Sequence, residues 1–203
     1  DAAWIEGTES AAPEEDFMRA VNWWLGVGGN VSARCPKRFD MTMLSAAVLA
    51  GHSNAVSLLL ERGADVNAAE GFGYTPLMSA AKSPRISNED ILHQLLEAGA
   101  DVNARQQTQP FVERRGPVEG KEQDYEEARQ KLLGSTALHI AAMESRVSMA
   151  KALLQAGAST LVRDEVGRTA VDYANLASVK KAILEHREEE SAFSKHDVCT
   201  VTH

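Results

Sequence analysis

The sequence predicts an all-α solenoid of about five short helix-pair units, with degenerate units at both ends and one long insertion between units. Three observations carry this. A threonine-led stretch with paired alanines returns at Thr42, Thr75 and Thr136, and a fourth threonine, Thr169, opens "TAVDYA"; Thr42 to Thr75 and Thr136 to Thr169 are both 33 residues. A closing motif recurs as "LLLERGADVNA" at 58–68, "LLEAGADVNA" at 95–104 and "LLQAGAS" at 153–159. The remaining interval, Thr75 to Thr136, is 61 residues, one period with an excess of 28. A fixed period of this length marks stacked units, none of which buries its apolar face alone.

Each part of the unit has a physical reason. The threonine oxygen accepts from free N–H groups at a helix start, and Pro76 suits a first turn. Ala46-Ala47, Ala80-Ala81 and Ala141-Ala142 keep the inner helix thin, so that neighbouring units approach closely. The leucines of "LLL" and "QLL" form the inward face of a second helix, which Gly63, Gly99 and Gly157 end in the left-handed conformation. Asp65-Val66-Asn67 and Asp101-Val102-Asn103 turn the chain toward the next unit.

These motifs resemble the ankyrin repeat. The resemblance divides the chain into an N-terminal arm (1–15), a repeat domain (16–187) and a charged tail (188–203). The domain comprises a cap repeat (16–36), repeats at 37–69 and 70–104, an insertion (105–133), a repeat at 134–163 and a C-terminal cap repeat (164–187). In the front cap, Trp23-Trp24-Leu25 aligns with Leu58-Leu59-Leu60, and at least one tryptophan is expected in the core. The inner helix of that cap is not recognisable, with Ser10-Ala11-Ala12 a candidate remnant interrupted by Pro13. The rear cap, "GRTAVDYANLASVKKAILEHR", is expected to compress both helices.

The excess of 28 residues divides in two. Three fall in "SPRISNED", between the helices of the third unit, and 25 between Gly99 and Thr136. In "RQQTQPFVERRGPVEGKEQDYEEARQKLLG" (105–134), Pro110, Gly116, Pro117 and Gly120 predict an irregular first half. "EQDYEEARQKLL" has acids early and bases late, as an exposed helix prefers. Long ordered insertions are often binding elements; a solvent loop is the alternative.

Composition narrows function. A net charge of -8 and the absence of a Lys/Arg stripe argue against nucleic acid or anionic membrane as partner. No apolar run approaches the length of a membrane-spanning helix. Cys35 and Cys199 lie far apart, in no metal or redox spacing, as a reducing compartment would give. Cys199 is five from the end, too far for a prenylation box. The chain opens on Asp1, so a targeting segment upstream is not visible. Histidines 52, 93, 139, 186, 196 and 203 form no metal motif. His139, at the family's usual histidine position, is expected to tie adjacent repeats together, and His52 to break between helices. "GVGG" at 26–29 lacks the lysine of a phosphate-binding loop. No catalytic residue, metal or cofactor is expected.

The resemblance implies a protein-binding scaffold or module, an architectural subunit of a larger complex being one form of it, and an intracellular location is expected. The alternative is a regulatory module of an enzyme whose catalytic part lies outside these residues. Aligning on the threonines places Arg38, Phe39 and Met41, Phe72 and Tyr74, and Leu132, Leu133 and Ser135 at variable finger positions. Val48 and Leu49, Lys82 and Ser83, and Met143 and Glu144 take the exposed inner-helix positions. Several are apolar where a solvated surface favours charge, which marks an interface. The insertion adds Phe111, Arg114, Arg115 and Tyr125. Leu59 and Leu95, eight residues before Asn67 and Asn103, resemble the spacing that asparaginyl hydroxylases recognise in ankyrin repeats, which makes both asparagines candidates for hydroxylation.

Overall fold

The computed structural model describes residues 13–35, 40–71, 73–83, 88–107 and 133–197; the side chains of 88, 89 and 189–197 are not described. Its helices are α1 (Glu14–Gly26), α2 (Met43–Ala50), α3 (Ser53–Glu61), α4 (Pro76–Lys82), α5 (Asn88–Glu97), α6 (Ala137–Met143), α7 (Val147–Gln155), α8 (Ala170–Tyr173) and α9 (Ala177–Asp197). Strands β1 (Arg34–Cys35) and β2 (Met41–Thr42) pair antiparallel, with Cys35 opposite Met41.

The helices stack in two rows. The inner row runs α2, α4, α6, α8, each packed on the next, and the outer row runs α1, α3, α5, α7, α9. Between the rows lies one continuous core, from Phe17 and Val21 through Leu44, Leu59, Leu77, Leu95, Leu138 and Leu153 to Val179 and Ile183. Ala47, Ala80, Ala81, Ala141 and Ala142 are fully buried in the inner row.

The four threonines start the four inner helices. Thr42 Oγ1 accepts from Ser45 N at 3.1 Å and Thr75 Oγ1 from Met78 N at 3.4 Å. Thr136 and Thr169 form capping boxes with His139 and Asp172. After the outer helices, Gly63, Gly99 and Gly157 have φ of 81°, 87° and 88°.

One feature departs from expectation. The final outer helix is not compressed: α9 runs through residue 187, where a tail was expected to begin, to Asp197. No glycine interrupts it where Gly157 ends α7, so the backbone has no reason to stop. In the front cap, α1 buries Phe17 and Val21; Trp23 is 56% exposed, while the half-buried Trp24 packs against the core, as one tryptophan was expected to, its Nε1 donating to Asn30 O at 3.1 Å. The expected remnant at 10–12 and residues 108–132 of the insertion lie outside the described residues.

Candidate functional site: the concave face and its fingers

Between successive units the chain makes a finger on a common frame. Glu70 N donates to Tyr74 O, Gln106 N to Ser135 O and Asp164 N to Arg168 O, at 2.8–2.9 Å, and Cys35 faces Met41 in the strand pair. The residue before the second arm has positive φ every time: Asp40 57°, Gly73 74°, Gly134 75° and Gly167 88°. The insertion therefore leaves and re-enters through a closed stem, since Gly134 N also donates to Gln106 O at 3.0 Å. That stem is held from both sides. Leu133 O accepts from Glu165 N of the next finger at 3.0 Å, and Gly73 of the preceding finger lies so close that a Cβ there would stand 1.8 Å from Gln107 O.

Buried carboxylates at one frame position behave oppositely. Asp164 accepts from Val166 N (3.0 Å), Arg168 N (2.7 Å), Arg168 Nε (3.2 Å) and Tyr173 Oη (2.5 Å). Burial pushes its carboxyl up, but the bonds from Tyr173 and Arg168 outweigh this and hold it below the ordinary value. Glu70 accepts from Ser79 Oγ at 2.8 Å, and burial raises its carboxyl against the smaller opposing pull of Ser79 and Lys82. Lys82 Nζ stands 5.0 Å over the Tyr74 ring. Burial, then Glu70 and Glu144, push the Tyr74 hydroxyl up to about 12.

The predicted binding positions separate into three sets. Lys82 and Glu144 are exposed, and Met41, Leu49 and Met143 are half-buried. Val48, expected at an exposed position, is 0% exposed and belongs to the core. Helix α2 rolls so that the residue seven beyond the threonine, Leu49, faces outward, not the one six beyond. Ser83 is also buried, its Oγ donating to Leu49 O at 3.4 Å, and Tyr74 is only 9% exposed because Lys82 covers it. Ser135 is buried and Leu133 half-buried. Arg38, Phe39, Phe72, Phe111, Arg114, Arg115, Tyr125 and Leu132 lie outside the described residues.

Two residues escaped sequence reasoning. Leu176, 47% exposed, continues the row Leu49, Lys82, Met143, each seven beyond its threonine, and Val166, 64% exposed, continues the fingertip row of Leu133. The same alignment extended to the last unit was the signal that could have found them. Together these rows give the concave face a partly exposed, mainly apolar line, most exposed at the C-terminal end.

Other candidates have structural tasks. His139 is buried; its Nδ1 accepts from Thr136 N at 3.2 Å, which fixes the ring proton on Nε2, 3.3 Å from Arg168 O in the next unit. Burial lowers its basicity more than the Arg168 carbonyl and Asp164 raise it. Asn67 donates to Gly99 O (3.3 Å) and accepts from Asp101 N (2.8 Å), while Asn103 repeats the pattern with Gly157 O (3.1 Å) and Ser159 N (2.8 Å). Both asparagines, with Thr75, Asp101 and Arg105, line an open cleft of about 460 Å³. Among the described residues, no three His, Cys, Asp or Glu side chains converge as a metal-ligand group, and no helix is long and apolar enough to cross a membrane.

Comparison with known proteins agrees with this architecture. A model of ankyrin repeats in three copies matches residues 10–106, and a single ankyrin-repeat model matches 133–165. The gap between them coincides with the insertion. The chain is similar to a mitochondrial disaggregase of Bos taurus, 34% identical over 90% of this chain, and to a mitochondrial disaggregase of Homo sapiens, 30% identical over 90%. It spans 30% and 32% of the length of those relatives. Ankyrin repeats are protein-interaction structures and not catalytic ones. With family models covering more than half of its length and its helices stacked in the matching two rows, this chain belongs to the ankyrin-repeat family.

Proposed function

We propose that this chain is the partner-recognition module of a longer protein, binding a polypeptide along its concave face, with any reaction chemistry residing outside these 203 residues. The observation that carries the reading is the apolar row of half-buried Leu49 and Met143 and exposed Leu176, with the exposed fingertip Val166. Apolar side chains on rigid helices and closed fingers bind with little ordering cost, because the frame is already set. The relatives' name supports the finer part: a module of this kind, joined to a disaggregating unit, would recruit the proteins on which that unit acts. The same name motivates a mitochondrial location, which microscopy of the tagged full-length protein tests.

Affinity capture from the native source, comparing wild type with a Met143→Ser, Val166→Ser, Leu176→Ser variant, tests the binding surface. All three side chains reach solvent, so the variant should fold with nearly unchanged stability and lose its captured partner. Retention of the same partner at wild-type yield would remove the concave face as the site. The scaffold reading, a subunit assembled with separate chains, is favoured instead if capture returns a stoichiometric complex in which this chain is not joined to a catalytic domain.

A further inference from the structure

The fingers supply an internal comparison. Asp164 and Glu70 occupy one frame position, both buried, both at the root of a finger. Asp164 is met by four donors, including a guanidinium. Among the described residues Glu70 is met by one hydroxyl, Ser79 Oγ. A buried carboxylate with so little donor support holds its charge poorly. The third finger places the neutral Gln106 at this position, so the frame does not require an acid.

We propose that Glu70 is a proton-binding site at the root of the second finger, taking up a proton from solvent under acidic conditions in which Asp164 stays an anion, and thereby changing the charge beside Tyr74 and Lys82 on the concave face. Among the described residues the groups facing it are few. Tyr74 lies in its own finger, Ser79 and Lys82 on α4, and Glu144, after α6, acts on Tyr74. Helix α2 carries no ionisable side chain. Arg34 of β1 donates to Ala69 O at 2.8 Å and is paired with Asp40 at 3.2 Å. Arg105 of the third finger is held on the carbonyls of Gly134 and Arg163. Proton uptake therefore leaves Lys82 without its buried counter-charge, and the centre of the groove gains one unit of positive charge.

Carbon-detected NMR titration of the 203-residue chain tests this. The Glu70 carboxyl should titrate above an ordinary glutamate and Asp164 below an ordinary aspartate. The Tyr74 ring resonances should move with the Glu70 midpoint. Glu70→Gln should abolish that movement, and Ser79→Ala, which removes the hydroxyl donor, should shift the midpoint further upward. If Glu70 titrates at or below the ordinary value, or if the Tyr74 ring ignores it, the proposal is overturned. Should Glu70→Gln fail to fold, the wild-type and Ser79→Ala titrations still decide. Partner capture is not involved, so this outcome is independent of the binding reading above.

Discussion

The guanidinium of Arg146, in the fourth unit, donates to the carbonyl of Ala80 in the third at 2.8 Å, and its Nη1 also reaches the carbonyls of Ala81 and Ser83. These are end carbonyls of α4. In the second and fourth units the inner helix leads into a residue in the left-handed conformation, Gly51 at φ 77° and Ser145 at 59°. Helix α4 instead leaves through Ser83 in an extended conformation, toward the longer inter-helix segment of its unit. A cation at a helix C-terminus is favourable, and here it replaces the missing cap.

Arg146→Met should therefore cost about 1–3 kcal/mol, since it strips a partner from carbonyls in a largely buried setting. Arg146→Lys should recover only part, because a compact ammonium is more strongly hydrated than a guanidinium and costs more to hold among buried carbonyls. Urea unfolding checks the total and amide exchange its place, with α4 losing protection first. Uniform loss across all helices would mean that Arg146 acts elsewhere.

Gly73→Ala and Gly63→Ala form a controlled pair. Both glycines have positive φ, 74° and 81°, but a Cβ at Gly63 meets nothing within 4 Å, whereas one at Gly73 overlaps the Gln107 backbone. Gly63→Ala should cost roughly 1–2 kcal/mol for the conformation alone. Gly73→Ala should cost clearly more, and its exchange rates should rise at 104–107 and 133–135. Equal costs would show that the stem yields freely to the finger.

The fold was legible in the sequence because its signals are local. A threonine cap, an alanine pair and a terminal glycine each act within one turn, and repetition multiplied them. The concave face was less legible because its exposure depends on helix roll. Val48 and Leu49 are adjacent and chemically alike, and only packing against α4 decides that one is core and the other surface. Arg146 and Ser83 were illegible for another reason, since their tasks are set by the departing backbone of a neighbouring unit. Nothing in the sequence sets Glu70 and Asp164 apart, and only their donor sets separate them.

His139 should make stability pH-dependent with a defined sign. Its capping box needs an unprotonated Nδ1, and burial lowers its folded pKa below the ordinary value of 6.5. The unfolded chain then binds the proton more readily, so the contribution is complete above about pH 6.5 and is lost as pH falls from there toward the folded value. His139→Gln keeps an acceptor for the capping box without a titratable ring. Urea midpoints at pH 7.5 and 5.5 should converge in that variant relative to wild type. An unchanged pH slope would assign the dependence to another group.

Asn67 and Asn103 carry the last prediction. Each bridges its turn to the following one through both ends of its amide, Asn67 to Gly99 and Asp101, Asn103 to Gly157 and Ser159. Leu161, at the corresponding place in the fourth unit, is exposed, so this ladder of bridges does not continue to the last unit. Alanine at either position removes two bonds near solvent and should cost about 1–2 kcal/mol. The double variant should approach the sum, since the two bridges share no partner. Hydroxylation at the asparagine Cβ leaves both amide ends in place, so the modified protein should keep both bridges and unfold no earlier than the unmodified one. Intact mass and fragment spectra of protein from its native source show whether either asparagine carries an added oxygen. If Asn103→Ala unfolds with the wild-type midpoint, the bridge between the third and fourth units contributes nothing, and their alignment across the insertion rests on helix packing, the stem and Arg146.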